Sequence, residues 1–274
     1  MIRDITLGQY YPGDSWIHRL DARIKIIWTF VYIISLFVIR DFWGYIPVLL
    51  TLALIIGVSA VPLKFILKGL KPIFLIIVFT FTINMFMTKG TPLLTLGFLT
   101  ITREGLYNAL FMGSRLVLLI IGSSLLTLAT KPINLTDGIE KLLSPAQKIG
   151  VPAHELAMMM TIALRFIPTL LEETDKIMKA QMARGADFES GNLINRAKSL
   201  IPLLVPLFIS AFRIAQDLAM AMEARCYRGG SHRTRMNGMK LKKKDAAASV
   251  LIALYLVLII AQSQGLFHWL IRFL

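Results

Sequence analysis

One cysteine, Cys226, is all that the 274 residues contain, so no disulfide forms within the chain and no cysteine cluster holds a metal. Histidine is almost as scarce. His18, His154, His232 and His268 fall in separate segments with no HExxH-like spacing, and metal binding is not expected. A GxxxxGK[ST] phosphate loop, a GxSxG nucleophile elbow and an acidic pair inside an apolar run are missing as well. No machinery for catalysis, nucleotide binding or a proton relay is visible. The chain does not open on a short apolar segment with a small-residue cleavage pattern, and nothing points to secretion.

Acids are also few: 16 Asp and Glu stand against 30 Lys and Arg, for a net charge of +14. Such a balance raises nucleic acid as a partner until the bases are located. The basic tail Arg233 to Lys244 lacks interleaved aromatics and abuts an apolar run. Contact of Lys240 to Lys244 with anionic lipid is therefore expected, and nucleic acid is not.

Charge is missing altogether from long stretches of a chain that is 56% hydrophobic, and this sets the class as membrane. A charge at mid-bilayer costs about 2.5 to 3.5 kcal/mol, and a span needs about 20 apolar residues. Five runs qualify: Ile26 to Ile39, Phe42 to Leu63, Pro72 to Thr88, Gly105 to Thr130 and Ala246 to Ile271. The first is short, with Lys25 and Arg40 expected to snorkel to the two surfaces. With the N-terminus inside, the inner segments carry 4, 3 and 18 basic residues, while the outer side carries only Arg40, Lys89, Arg103 and Arg272. Positive residues are retained in the cytoplasm, so the N-terminus is expected there and the C-terminus outside.

The stretch from Lys131 to Lys244 reads as too charged to span, too apolar to be disordered, and helical in period. A short helix is predicted from about Asn134, capped by that residue and ended by Ser144-Pro145 and Gly150. A long helix follows from Pro152, with Leu156, Met159, Met160, Ala163, Leu164, Ile167 and Leu170 on its apolar face and Glu172, Glu173, Lys176 and Lys179 opposite. Gly185 ends it. A third helix from about Leu193 places Leu200, Leu204, Leu207, Phe208, Ala211, Ala215, Leu218 and Met222 on one side. Pro202 and Pro206 are expected to kink or restart it, and it stops before Gly229-Gly230. Ser231 to Lys244 reads as a linker. Three segments result: 1–130 with four spans, 131–244 as a cytoplasmic helical domain, and 245–274 as a last transmembrane helix.

Both long cytoplasmic helices end alike, in Met182-Ala183-Arg184-Gly185 and Glu223-Ala224-Arg225-Cys226, with the arginines 41 residues apart. Small neighbours let each helix tip approach another surface, where a guanidinium makes bidentate bonds to carboxylates or carbonyls. The plainer account is that each arginine complements its helix dipole, an effect of about 0.3 to 1 kcal/mol. Inside the fourth run, Arg115 lies about 15 Å from Gly105 at 1.5 Å per residue. It either bonds to a polar partner within the membrane or snorkels to the surface. Ala109 and Gly113, four apart in the same run, suit close helix packing.

These residues together resemble the transmembrane T component of energy-coupling factor (ECF) vitamin and metal transporters. The resemblance covers nearly the whole chain and rests on Leu20-Asp21-Ala22-Arg23, on Ala183-Arg184-Gly185 and Ala224-Arg225-Cys226, and on the order of spans, cytoplasmic helices and final span. Two departures stand out: many relatives carry proline where Ala22 stands, and Cys226 takes a place where Ser or Gly is expected. The resemblance implies an all-α, L-shaped polytopic protein of the bacterial cell membrane, with about five spans and long coupling helices between spans four and five. It implies that Ala183, Arg184, Gly185, Ala224, Arg225 and Cys226 dock on two ABC-type ATPases, EcfA and EcfA′-like. A membrane-embedded S component would bind the vitamin, ATP-Mg would sit on the ATPases, and this chain would bind no cofactor and hydrolyse nothing. Methionine-rich faces that repack against different partners fit that role. A conventional ABC importer permease with its own pore, faintly echoed by Gly185 and Ile201-Pro202, and a polytopic membrane enzyme are the alternatives.

Overall fold

The computed structural model describes residues 10–96, 99–186, 198–227 and 241–263, together with 188, 194 and 229. In chain order the elements are α1 (Ala22–Val38), α2 (Tyr45–Ser59), α3 (Leu63–Lys68), α4 (Phe74–Met87), β1 (Pro92–Leu96), β2 (Leu99–Thr102), α5 (Arg103–Ala129), α6 (Pro132–Leu143), α7 (Ala153–Ala183), α8 (Ile201–Ala224) and α9 (Lys243–Ser263). They fall into two compact units, one drawn from residues 10–139 and 241–263 and the other from 140–229.

In the first unit, α5 packs against α1 on one side and α4 on another. Small residues make this possible. Ala109 is fully buried, a side chain at Gly105 would press on the Met85 carbonyl, and one at Gly122 would overlap the Tyr32 ring. Around these contacts Tyr32, Leu36, Val48, Leu118, Leu125 and Tyr255 form a buried core. Its hydroxyls bond inward: Tyr32 donates to the Leu118 carbonyl at 2.8 Å, Tyr45 to the Phe111 carbonyl at 3.1 Å, and Tyr255 to the Ser35 hydroxyl at 2.6 Å, which itself donates to the Tyr32 carbonyl. In hydrocarbon such groups have no water to turn to, so each finds a protein partner.

The Leu20-Asp21-Ala22-Arg23 segment opens α1. Asp21 caps it, accepting from the Arg23 amide at 2.9 Å while the Arg23 guanidinium grips both carboxylate oxygens at 3.1 and 2.9 Å. Burial pushes the Asp21 carboxyl up, but the bonds and charge of Arg23 outweigh it and hold the group below its ordinary value. The buried Asp245 carboxylate then ties two helix starts together. One oxygen accepts from the Asp21 amide at 2.9 Å and the other from the Lys242 amide at 2.7 Å. The second bond is half of a capping box, since Asp245 stands three residues past the cap of α9.

Several expectations change. Lys25 does not snorkel: it is buried, donating to the Ala129 carbonyl at the end of α5 at 2.9 Å and to the His18 carbonyl at 3.2 Å. A short antiparallel hairpin, β1 with β2, joins α4 to α5 and is a small addition to an otherwise all-α fold. Lys64, Lys68 and Lys71 lie in helical turns, so Leu63–Met87 runs as one span-length stretch where a loop was predicted. α6 begins at Pro132, two residues before Asn134, because proline suits the first helical position.

Among the described residues, six stretches are long and apolar enough to cross a membrane: Phe42–Ser59, Leu63–Met87, Arg103–Ala129, Ala153–Ala183, Ile201–Ala224 and Lys243–Gln262. α1 is shorter, at 17 residues, but uncharged from Ile26 to Val38. Two of the six fall in the stretch that reads as too charged to span. The charges of α7 gather beyond Leu171, leaving Arg165 alone between Leu156 and Leu171, and α8 carries only Arg213, Asp217 and Glu223. Averaging over the whole segment hid this. The predicted continuation of the last span to Ile271 lies outside the described residues.

Asp245→Ala leaves the part-buried amides of Asp21 and Lys242 without that acceptor. A loss of about 3 kcal/mol is expected, because bonds to a charged group contribute about 1.5 to 3 kcal/mol each and orphaned donors add their desolvation. The thermal midpoint of the detergent-purified protein reads this, and an unchanged midpoint would refute the clamp.

Candidate functional site

The second unit is built from α7 and α8, which pack on each other through one stripe apiece. On α8 that stripe is Leu203, Leu207, Ile214, Leu218 and Met222, at steps of four, seven, four and four. A second apolar face is left over. Leu204, Val205, Phe208, Ile209, Phe212 and Met220 are exposed on α8, as are Leu156, Met159, Met160 and Met182 on α7. The sequence groups Leu204 and Phe208 on one side with Leu207, Leu218 and Met222, but the structure leaves the first two exposed and half-buries the other three. Apolar surface of this extent marks a partner or lipid-contact surface. Pro168 and Pro206 sit inside their helices, and Pro202 occupies the first turn of α8. The predicted start of this helix at Leu193 lies outside the described residues.

The two helix ends are superposable in their bonding. At the first, the Gly185 amide donates to the Met182 carbonyl at 2.9 Å and the Ala186 amide to the Gln181 carbonyl at 3.0 Å. At the second, Cys226 donates to Glu223 at 2.8 Å and Tyr227 to Met222 at 3.0 Å. Both are Schellman motifs, in which two extra bonds consume carbonyls the helix would leave bare. Arg184 and Arg225 take the same place in them, the capping position. Each is followed by a left-handed residue, Gly185 at φ +89° and Cys226 at φ +54°. Cysteine at this angle is strained where glycine is not, because its Cβ crowds the carbonyl.

Both arginines are exposed, and among the described residues neither guanidinium has a hydrogen-bond or ion-pair partner. Their backbones are fixed while their side chains remain available. They are not brought together. Gln181, near the end of α7, donates to the Pro202 carbonyl at the start of α8 at 3.3 Å, and Arg225 lies 23 residues beyond Pro202. At 1.5 Å per residue the two tips stand on the order of 34 Å apart. Two such tips reach two sites on a large partner, or one on each of two partners.

Elsewhere, Arg115 donates to the Ile39 carbonyl at 2.8 Å and lies 4.8 Å from the Phe111 ring centre and 5.8 Å from that of Phe37. It therefore satisfies a carbonyl at the end of α1 from within α5. His18 bonds Ser15 and the Tyr11 carbonyl, and His154 bonds Glu140 at 3.0 Å; His232 and His268 lie outside the described residues. The Glu140–His154 pair, Asp245 and buried Lys25 escaped the sequence reading. Only Asp245 left a signal: an isolated acid directly after Lys242-Lys243-Lys244 and just before the uncharged run that begins at Ala246.

The family model described as cobalt transport protein, CbiQ, matches residues 13–236. A Clostridium kluyveri protein named energy-coupling factor transporter transmembrane protein EcfT is 63% identical over 261 residues, 94% of this chain and 96% of its own. Proteins of the same name from Thermosediminibacter oceani and Listeria innocua are 61% and 47% identical, over 93% and 98% of this chain and 97% and 99% of their own.

The left-handed cap is testable at both ends. Gly185→Ala is expected to destabilise the end of α7 by about 1 kcal/mol, purely through backbone strain, since its side chain would meet open space. Cys226→Gly is expected to stabilise the end of α8 by about the same amount. Amide hydrogen exchange at Ala186 and Tyr227 should move in opposite directions; a shift of the same sign in both would contradict the shared geometry.

Proposed function

The chain belongs to the CbiQ cobalt transport protein family, and within it to the transmembrane components of ECF transporters, and from that premise we propose that it is the force-transmitting scaffold of a vitamin or micronutrient importer. It is a multi-pass membrane protein. In this reading the N-terminus lies in the cytoplasm and the C-terminus outside. α7 and α8 act as coupling helices at the cytoplasmic face, and Lys242, Lys243 and Lys244 meet anionic lipid there.

The observation that carries the reading is the pair of matched, exposed arginine caps held about 34 Å apart. A helix that ends in a Schellman motif offers a stiff tip, and Ala183, Gly185 and Ala224 present no bulk to keep a partner surface away. Arg184 and Arg225 each enter a groove on one of two ABC-type ATPases, with Cys226 beside the second contact. ATP-Mg is bound and hydrolysed by those subunits, and closure of the ATPase pair moves the two tips relative to each other. The exposed apolar faces of α7 and α8 receive the S component, which carries the substrate and reorients in the membrane. Methionines on that surface adapt their shape to more than one such subunit. This chain supplies no catalytic group; its chemistry is charge pairing at two tips and apolar contact between them. The relatives' shared name leaves the permease and enzyme readings without support.

Affinity purification of wild type, Arg184→Glu, Arg225→Glu and the double variant tests the docking. Truncating one partner of a buried, hydrogen-bonded charge pair costs about 2 to 5 kcal/mol, so each reversal should weaken ATPase recovery by about 30-fold or more. The double variant should retain the S component and lose both ATPases. ATP-driven uptake at wild-type rate in both single variants would refute the proposed role.

A further inference from the structure

A cavity of about 280 Å³ lies inside the first unit, walled by α1, α2, α5 and α9 and by the segment before α1. Its rim residues Leu54, Val58, Leu251, Leu254 and Leu258 are exposed, so it opens sideways where the spans meet lipid. The wall is almost wholly hydrocarbon. Four hydroxyls border it, and all are already committed: Thr29 to the Lys25 carbonyl, Thr51 to Pro47, Tyr32 to Leu118 and Tyr255 to Ser35.

What remains unspent is at one end, and it consists of donors. Lys25 uses two of its three protons on Ala129 and His18. The indoles of Trp16 and Trp28 border the same end, one before α1 and one a turn along it. The Asp21 and Asp245 carboxylates nearby are spent on Arg23 and on two backbone amides. On α9, Lys244 is exposed and lies on the same face as the lining residues Ala248, Leu251, Tyr255 and Leu258, at steps of four, three, four and three. Lys242 and Lys243 are exposed beside it.

We propose that this groove holds an acyl chain of an anionic phospholipid whose headgroup rests on Lys244 and the donor end formed by Lys25, Trp16 and Trp28. The hydrocarbon wall selects an alkyl chain, the absence of free acceptors at the polar end selects an oxygen-rich headgroup, and the lysine cluster selects a negative one. The lipid fills a space between helices that Asp245 and Lys25 hold together at its polar end. The inference rests on Lys242 to Lys244 lying at an anionic membrane face, and it does not depend on the ATPase partners.

Native mass spectrometry of the full chain, purified in mild detergent and exchanged against dioleoyl phosphatidylglycerol or dioleoyl phosphatidylcholine, tests it. Wild type should retain one tightly held phosphatidylglycerol, with a preference of about tenfold over the zwitterionic lipid. Lys244→Gln should cut that preference about fivefold, since one basic residue near a membrane surface contributes about 1 kcal/mol. Leu251→Trp, an exposed position whose thermal midpoint reports folding, should block the groove and abolish the tight adduct for both lipids. Equal retention of the two lipids by wild type would overturn the proposal. So would a Leu251→Trp protein that keeps phosphatidylglycerol as wild type does, which would leave surface attraction to the lysines intact and remove the groove. In membranes, a photocrosslinker at position 251 should label lipid; labelling of a protein subunit instead would give the groove to that partner and overturn the lipid assignment.

Discussion

A backbone carbonyl or amide left unpaired in hydrocarbon costs several kcal/mol, and every helix carries four of each at its ends. The first unit is organised by this constraint. Arg115 reaches the last carbonyl of α1, Lys25 reaches the last carbonyl of α5, and Asp245 accepts amides from the starts of both α1 and α9. In each case a charged side chain from one helix closes the end of another. The charges that sit among the spans are thereby turned into connections, each between elements distant in sequence. Between those ends the packing is apolar and set by small residues along α5, which let Tyr32 and the α4 backbone come close.

The second unit follows the opposite logic. Its two helices have paired their backbone ends locally, through Schellman bonds, and have left their charged tips and one apolar face apiece uncovered. A structure that spends so little of its side-chain chemistry on itself is suited to contact with other subunits. Stiff ends about 34 Å apart would convert movement in a partner into movement of the helices, while the apolar faces between them would follow. Stability in one unit and availability in the other are thus two answers to the same question of where helix ends find partners.

Much of this was legible in the residues. Apolar runs mark α2, α5 and α9, the second broken only by Arg115, and the repeat around Arg184 and Arg225 stands out in the sequence. The boundaries of α7 were readable to within a residue, from Pro152 and Gly185. Two features were hidden for different reasons. Lys25 beside a short apolar run looked like a residue that would snorkel, and composition summed over 131–244 concealed that α7 and α8 each hold an apolar stretch of span length. The charges of α7 lie mostly past Leu171, and the partner of Lys25 is 104 residues away. The packed and unpacked apolar faces of α8 were grouped as one side, since a helix apolar on two faces gives the same periodic signal from either.

The sequence by itself determined the class, the membrane spans at the level of their cores, and the identity of the two arginine caps, because hydrophobicity, local propensity and terminal glycine act over a few residues. Tertiary structure alone decided which helix end each buried charge closes, which face of α8 stays uncovered, and that Cys226 adopts the left-handed angle of Gly185. Those outcomes depend on contacts between residues far apart in the chain, or on the backbone's path beyond a helix end. No local pattern encodes them, since a lysine, an arginine or an aspartate meets its partner only once the helices have packed.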